Sequence, residues 1–439
     1  MRKVVLYSVL LFVGLALSQV LPALLGTAQD SVATAIRVLT MTGLAFIMIH
    51  VGFEFHLDKS RLGSYGWDYL VAFTAASFPW VLVTGYFVFV MLPPELWSNF
   101  DAWKETLLAG RFASPTSAGV LFSMLAAAGL GATWVFRKAR VLAIFDDLDT
   151  VLLMIPLKML MVGLAWQLGL IVVVMAALLA VAYVWMHRVR LPLSWGWVLG
   201  YAAAIVGISE VLYASSKLVD PSVPIHIEVL LPAFVLGVIA RPRETAPGAD
   251  AAGVEHALHA LLERPGEQRA TSVISAAFMV LVGLSMPAIL GGLDGQHPQP
   301  DPAVLHAAAP GAVVDDPVQH GGPAPGQATV TASQPSLGWG LIALHVLLIT
   351  LLSNLGKMFP ALVYRREAHW RHRLAVAVGM WPRGEVGAGV LVLSLSYGIG
   401  GPVVTVAMLS LALNLALTGV FILLVRKLIH GVPEGPAAA

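Results

Sequence analysis

The sequence predicts an all-α polytopic membrane protein of about twelve transmembrane helices, and three observations predict it. Apolar residues make up 58% of the 439 and charged residues only 12%, against about 25% charged in an ordinary soluble domain. Mean hydropathy is +0.81. Apolar runs near the roughly 20 residues that a bilayer-spanning helix needs recur along the chain, with most Lys and Arg in the short loops between them. The formal net charge is +1 with no basic stripe, which points away from nucleic acid. No cysteine is present, so disulfides, thiolate chemistry and cysteine metal sites are excluded.

The first twenty residues, MRKVVLYSVLLFVGLALSQV, have two basic residues and then an apolar run. Cleavage after Ser18 as a signal peptide is one reading. A retained helix is the expectation, because the run stays apolar through Pro22 to Leu25. A second span covers about 32–55 and ends in HVGFEFHLDKSRL, where Glu54, His56, Asp58, Lys59 and Arg61 mark a cytoplasmic exit. The third, 67–92, has aromatic anchors near both ends and is closed by Pro93-Pro94.

The fourth span, about 105–129, is interrupted by GRFASPTSAG at 110–119. Pro115 removes a backbone hydrogen bond, and the glycines loosen the helix, so main-chain groups are freed at mid-membrane. Those carbonyls and the hydroxyls of Ser114, Thr116 and Ser117 suit an alkali cation. A plain proline kink, with Ser and Thr bonded to their own backbone, is the alternative.

The fifth span, 141–161, carries Asp146, Asp147 and Asp149 in VLAIFDDLDTVLLMIPL. It cannot face lipid. Each central Asp costs about 2.5–3.5 kcal/mol in hydrocarbon, while each Leu, Ile, Val or Phe returns only about 0.3–0.6 kcal/mol. The acids must therefore meet water, a cation, a proton or a basic partner inside a bundle. At about 100° per residue Asp146 and Asp149 share a face and Asp147 points elsewhere, so adjacent acids address different partners. The alternative, an Asp run capping a surface helix behind a separate RKARVLAIF element, fits poorly because no turn residue separates Phe145 from Asp146. Lys158, three turns beyond Asp147, is read as snorkelling or lining a passage mouth.

Further spans fall at about 162–185, 193–214 and 225–239, with Glu210 and Glu228 read as interfacial. The polar segment 241–269 contains GVEHALHALLER, whose spacing suggests an amphipathic surface helix with solvated His256 and His259. A ninth span is expected at 271–290. The stretch 291–336, rich in Pro, Gly and Ala and without periodicity, reads as a long disordered loop.

The tenth span, 337–363, holds Lys357 in LLSNLGKMFPAL. An intramembrane lysine needs an acidic partner, unless it snorkels to a cytoplasmic edge. The eleventh is broken at PRGEVGAG, where Arg383 and Glu385, two apart, do not stack on one helical face and fit a non-helical segment. The twelfth covers 403–425. Basic loops alternate along the chain, which puts both termini in the cytoplasm and the 291–336 loop outside. Spans three to five and ten to twelve run in opposite senses, each trio with one broken helix, as in inverted repeats that bind at the midplane. Asp146, Asp147 and Lys357 would converge there.

These residues resemble the bacterial monovalent cation:proton antiporters, in particular the sodium/proton antiporter branch with paired aspartates. The likeness rests on GFEFHL at Gly52, SPTS at Ser114, the acid pair at Asp146, FMVLVGLS at Phe278, Lys357 and PRGEVG at Pro382, in that order over nearly the whole chain. The resemblance implies that Asp147 is the main cation and proton carboxylate and that Asp146 pairs with Lys357 in the proton-loaded state. It also implies cation contacts from Ser114 and Thr116, and support of the crossing region by Pro115, Arg383 and Glu385. It implies a homodimer in the bacterial inner membrane, without cofactor, moving a core (67–161 and 337–429) against a panel (1–66 and 162–290, with its loop 241–270), before a tail at 430–439. A carboxylate in a partly dehydrated site binds its proton nearer neutrality, so proton and cation compete for one charge site. Asp149 departs from the pattern, as does the shortened connection LPALLG after the first span. A sodium-coupled symporter of an organic anion and a passive cation channel or pH sensor are the competing functions; an intramembrane hydrolase has no fitting constellation.

Overall fold

A computed structural model describes residues 2–25, 29–53, 55, 62–162, 166–219, 229–242, 261, 264–286 and 329–432. Among them are helices α1 (Arg2–Leu25), α2 (Gln29–Phe53), α3 (Leu62–Tyr86), α4 (Phe100–Gly110), α5 (Ala118–Ala127), α6 (Trp134–Val162), α7 (Trp166–Trp185), α8 (Trp195–Val219), α9 (Leu230–Ile239) and α10 (Pro265–Leu284). The chain continues with α11 (Trp339–Gly356), α12 (Phe359–Leu362), α13 (Trp370–Gly379), α14 (Glu385–Ser396) and α15 (Gly401–Ile429). Six of the described helices are long and apolar enough to cross a membrane by length and composition. The protein is an all-α polytopic membrane protein; its small β element is a parallel pair, β1 (Val189–Leu191) with β2 (Ala240–Pro242), in the register Arg190 to Arg241. Glu54, 56–61, Glu228, most of 241–269 and 291–328 lie outside the described residues.

The chain forms two compact units. One comprises 1–34, 63–163 and 282–439. In it α4 and α5 are one broken helix and α13 and α14 another, and α15 packs on α1, α11 and α13. α6 is continuous from Trp134, taking in the basic residues before the acids, because Arg, Lys and Ala are good helix formers and no breaker separates them from Phe145. Backbones approach closely where glycine allows it: a Cβ on Gly356 would stand 2.6 Å from the Pro79 nitrogen of α3, which fixes the end of α11 against that helix.

At the Leu62 end of α3, Asp68 is buried and receives Lys138 of α6 at 3.0 and 3.2 Å and the Tyr364 hydroxyl at 2.7 Å. Lys138 also meets Glu367 at 2.9 Å and lies 4.3 Å from the Tyr364 ring centroid. Burial, helped by Asp68, pushes the Tyr364 hydroxyl above its ordinary value and keeps it a donor. At the other end, Thr329 and Thr331 of the proline- and glycine-rich stretch are buried. Glu105 of α4 is buried and accepts from Val330 N at 3.2 Å, Thr331 N at 2.8 Å and Thr331 Oγ1 at 2.8 Å, so a carboxylate supplies the order that local sequence does not.

The second unit comprises 35–62 and 164–281. Here α9 packs on α7 and α8, and Glu210 of α8 is bound by Arg37 of α2 at 2.8 Å. Large apolar side chains of α8, among them Trp197, Ile208 and Val211, are exposed, as a lipid-facing helix requires. The α2–α9 crossing is made by Gly52 and Gly237, where a Cβ on either would collide with the facing backbone. Gly237→Val should therefore cost at least about 1–3 kcal/mol. A clearly lowered apparent melting temperature in detergent would show it, and an unchanged one would contradict the close crossing.

Candidate ion site at the crossed helix breaks

The two breaks meet. Pro115 and its neighbours interrupt the first helix over 111–117, and the chain at 380–384 interrupts the second. Ser117 N donates to Pro382 O at 2.9 Å and Thr116 Oγ1 to Met380 O at 3.1 Å. Each break thus supplies partners that the other lost when its helix stopped, as a segment inside a bilayer must.

Arg383 is the hub of the second break. Its side chain is fully buried and donates to Ala113 O at 2.8 Å, Asn354 Oδ1 at 2.6 Å, Ser353 O at 2.9 Å and Trp381 O at 3.2 Å. Three of these acceptors are main-chain carbonyls at a helix end or in a break, where intrahelical donors run out. Asn414 of α15, with its amide turned to satisfy both ends, donates to Trp381 O at 3.2 Å and accepts from Arg383 at 3.1 Å. Glu385 opens α14.

The acids enter from α6. Asp146 is fully buried; its Oδ2 accepts from Thr116 N at 2.7 Å, and Lys357 Nζ donates to its two oxygens at 3.0 and 2.9 Å. Lys357 stands at the C-cap of α11, which ends at Gly356, inside the stretch where an unbroken span was expected to reach 363. A cation at a helix C-terminus complements the macrodipole, so the same placement satisfies helix and carboxylate. Thr150 Oγ1 donates to Asp146 O at 2.8 Å and ties down this turn.

Asp147 is 7% exposed and Asp149 fully buried. Asp147 leaves the helix about 100° from Asp146; Asp149 interacts with Tyr69 of α3. Ser114, also buried, accepts from Arg111 and donates to Ala76 O, so its hydroxyl braces the break against α3. Asp146, Thr116 and Lys357 are therefore brought into direct contact, Arg383 and Pro115 shape the crossing beside them, and Ser114 faces a cationic guanidinium. A hydroxyl oxygen already accepting from a cation is a poor ligand for a second one. The sequence reading passed over Arg111, although it stands in GRFASPTSAG; a charged residue inside an apolar, broken span was the signal.

A titratable carboxylate pair, buried beside an ammonium at the meeting of two helix breaks, is equipped to hold a cation or a proton. Residues 3–427 match the family model described as sodium/hydrogen exchanger, transmembrane. The chain belongs to the sodium/hydrogen exchanger family. The comparison with curated proteins gave no match. The exchanger is accordingly an integral multi-pass membrane protein and a cation:proton antiporter; its family consists of transporters, and its substrates are a cation and protons. Two trios of elements each hold one broken helix: α3, α4–α5 and α6, and α11, α13–α14 and α15.

Proposed function

We propose that the exchanger is a secondary active antiporter of Na⁺, with Li⁺ or K⁺ as alternatives, and that Asp147 is shared in turn between the cation and a proton. The observation that carries this reading is the contact of Asp146 with both Lys357 and Thr116 N at the crossing, one residue from buried Asp147. Such a pair holds its charges at low cost only while both partners remain. In the proton-loaded state Asp147 is neutral and Lys357 satisfies Asp146. When a cation arrives, Asp147 and Asp146 face it, Thr116 and freed main-chain oxygens complete the ligand set, and Lys357 gives up its proton.

Two protons then leave for each monovalent cation, so exchange is electrogenic, and each net charge moved is worth about 2.3 kcal/mol per 100 mV. Alternating access delivers the site to either side of the bacterial inner membrane, both termini are cytoplasmic, and the working form is a homodimer. Glu385 and Arg383 support the crossing.

The test is proton flux in proteoliposomes carrying an internal pH dye, with Na⁺, Li⁺ or K⁺ added outside and the membrane potential either clamped or left free. Alkalinisation of the lumen driven by one cation and slowed when charge cannot be compensated is the expected result. No proton movement with any of the cations would send the assignment to symport or channel activity.

A further inference from the structure

Arg111 has no part in the exchange step above, yet it is a permanently charged group at the heart of the site. It follows directly on α4 in the first break, its side chain fully buried. Its guanidinium lies 5.0 Å from the Trp80 ring centroid and donates to Ser114 Oγ and, at 3.1 Å, to Asp149 O. Its Nε makes no hydrogen bond. The carboxylates of Asp146 and Asp149 lie within its electrostatic reach, and so does the Lys357 ammonium. Tyr69 faces Asp149 from α3, and Arg383 faces Asp146 from the second break.

We propose that Arg111 is a positioning residue of the exchange, whose fixed charge weakens the hold of the carboxylate cluster on its cation enough for the ion to be released. The inference rests on the antiport reading above. The charged side chains described as buried around the breaks are three acids, Asp146, Asp147 and Asp149, and three bases, Arg111, Lys357 and Arg383. In the exchange step above these six sum to +1 while Asp147 holds its proton, and to zero, with the ion counted, once the cation is bound and Lys357 is neutral. Without Arg111 each of these states is one unit more negative. A site of that kind binds both the cation and its competing proton more tightly, because one unit charge several ångströms away acts strongly in a partly dehydrated interior. The bond to Asp149 O also holds the acid-bearing turn of α6 to the break, so charge and geometry come from one side chain.

The experiment measures the cation KM at alkaline pH, where proton competition is least, and the pH midpoint of exchange in proteoliposomes. It compares the wild type with Arg111→Gln, Arg111→Lys, Asp149→Asn and the double variant Arg111→Gln/Asp149→Asn. In Arg111→Gln the KM should fall about tenfold, the midpoint should rise by about one pH unit and the maximal rate should drop. Asp149→Asn should move KM and midpoint the opposite way, the double variant should return KM to within about twofold of the wild type, and Arg111→Lys should keep both near it. A residue that only braces the break would lower the rate without moving either quantity, and that result overturns the proposal. Should Arg111→Gln fail to fold, Asp149→Asn decides: an unshifted KM overturns it. A wild type that moves no protons with any cation would overturn the antiport reading itself, whereas working exchange with unshifted variants overturns this inference alone.

Discussion

Lys357→Ala should destabilise the exchanger more than any other single truncation in the core, by about 3–5 kcal/mol. Lys357 and Asp146 are both fully excluded from solvent, and the ammonium reaches both carboxylate oxygens within 3.0 Å. Removing the lysine leaves Asp146 charged and buried, with Thr116 N still donating to it. The apparent melting temperature in detergent should drop clearly. A buried pair is worth far less than the cost of breaking it, since two neutral residues of similar volume can replace both charges with little loss. Asp146→Asn/Lys357→Met should therefore recover most of the lost stability and none of the exchange. If the single variant melts with the wild type, the pair is not the internal charge balance described above.

The second large effect concerns Asp147. Asp147→Asn should abolish cation-driven proton movement, by at least about a hundredfold, while leaving the fold intact. The amide has nearly the volume of the carboxyl but neither binds a proton in this pH range nor offers a full negative charge to a cation. Both substrates are lost together. Flux in proteoliposomes, with the melting temperature as control, checks this outcome; residual exchange near the wild-type rate would assign the carrier role to another acid. Because proton and cation compete, wild-type activity should rise as pH increases through the site's own titration, and excess cation should move that rise to lower pH.

Much of this was legible in the sequence for a physical reason: charge and helix breakers inside apolar stretches are costly, so each one is conspicuous. Asp146, the SPTS break and Lys357 stand out on that ground, and the structure places all three in contact. The contacts that organise them were not legible. Thr116 N to Asp146, Arg383 to Ala113 O and Ser117 N to Pro382 O join residues 30, 270 and 265 positions apart, and nothing in local spacing chooses such partners. The end of α11 at Gly356 was missed because Leu, Met and Phe continue the apolar pattern; at that end stands a glycine packed on Pro79, and Pro360, four residues on, has no N–H to continue the helix. The docking of 329–334 on Glu105 was hidden likewise: composition reports what a segment cannot bury by itself, and here the ordering groups come from α4. Nor do the residues of α1 choose its neighbour, since they are apolar all round and leave no distinct polar face; in the structure it packs on α15, with Ser8 against Gly419.

The most direct measurement of the central claim is proton release on cation binding. Na⁺ is added to purified exchanger in weakly buffered detergent near the midpoint of its pH profile, and the acidification is counted per protein. The competition of cation and proton for Asp147 predicts prompt release of at least about one proton per bound cation, absent in Asp147→Asn. Saturable Na⁺ binding with no proton released, or release undiminished in the variant, would contradict it.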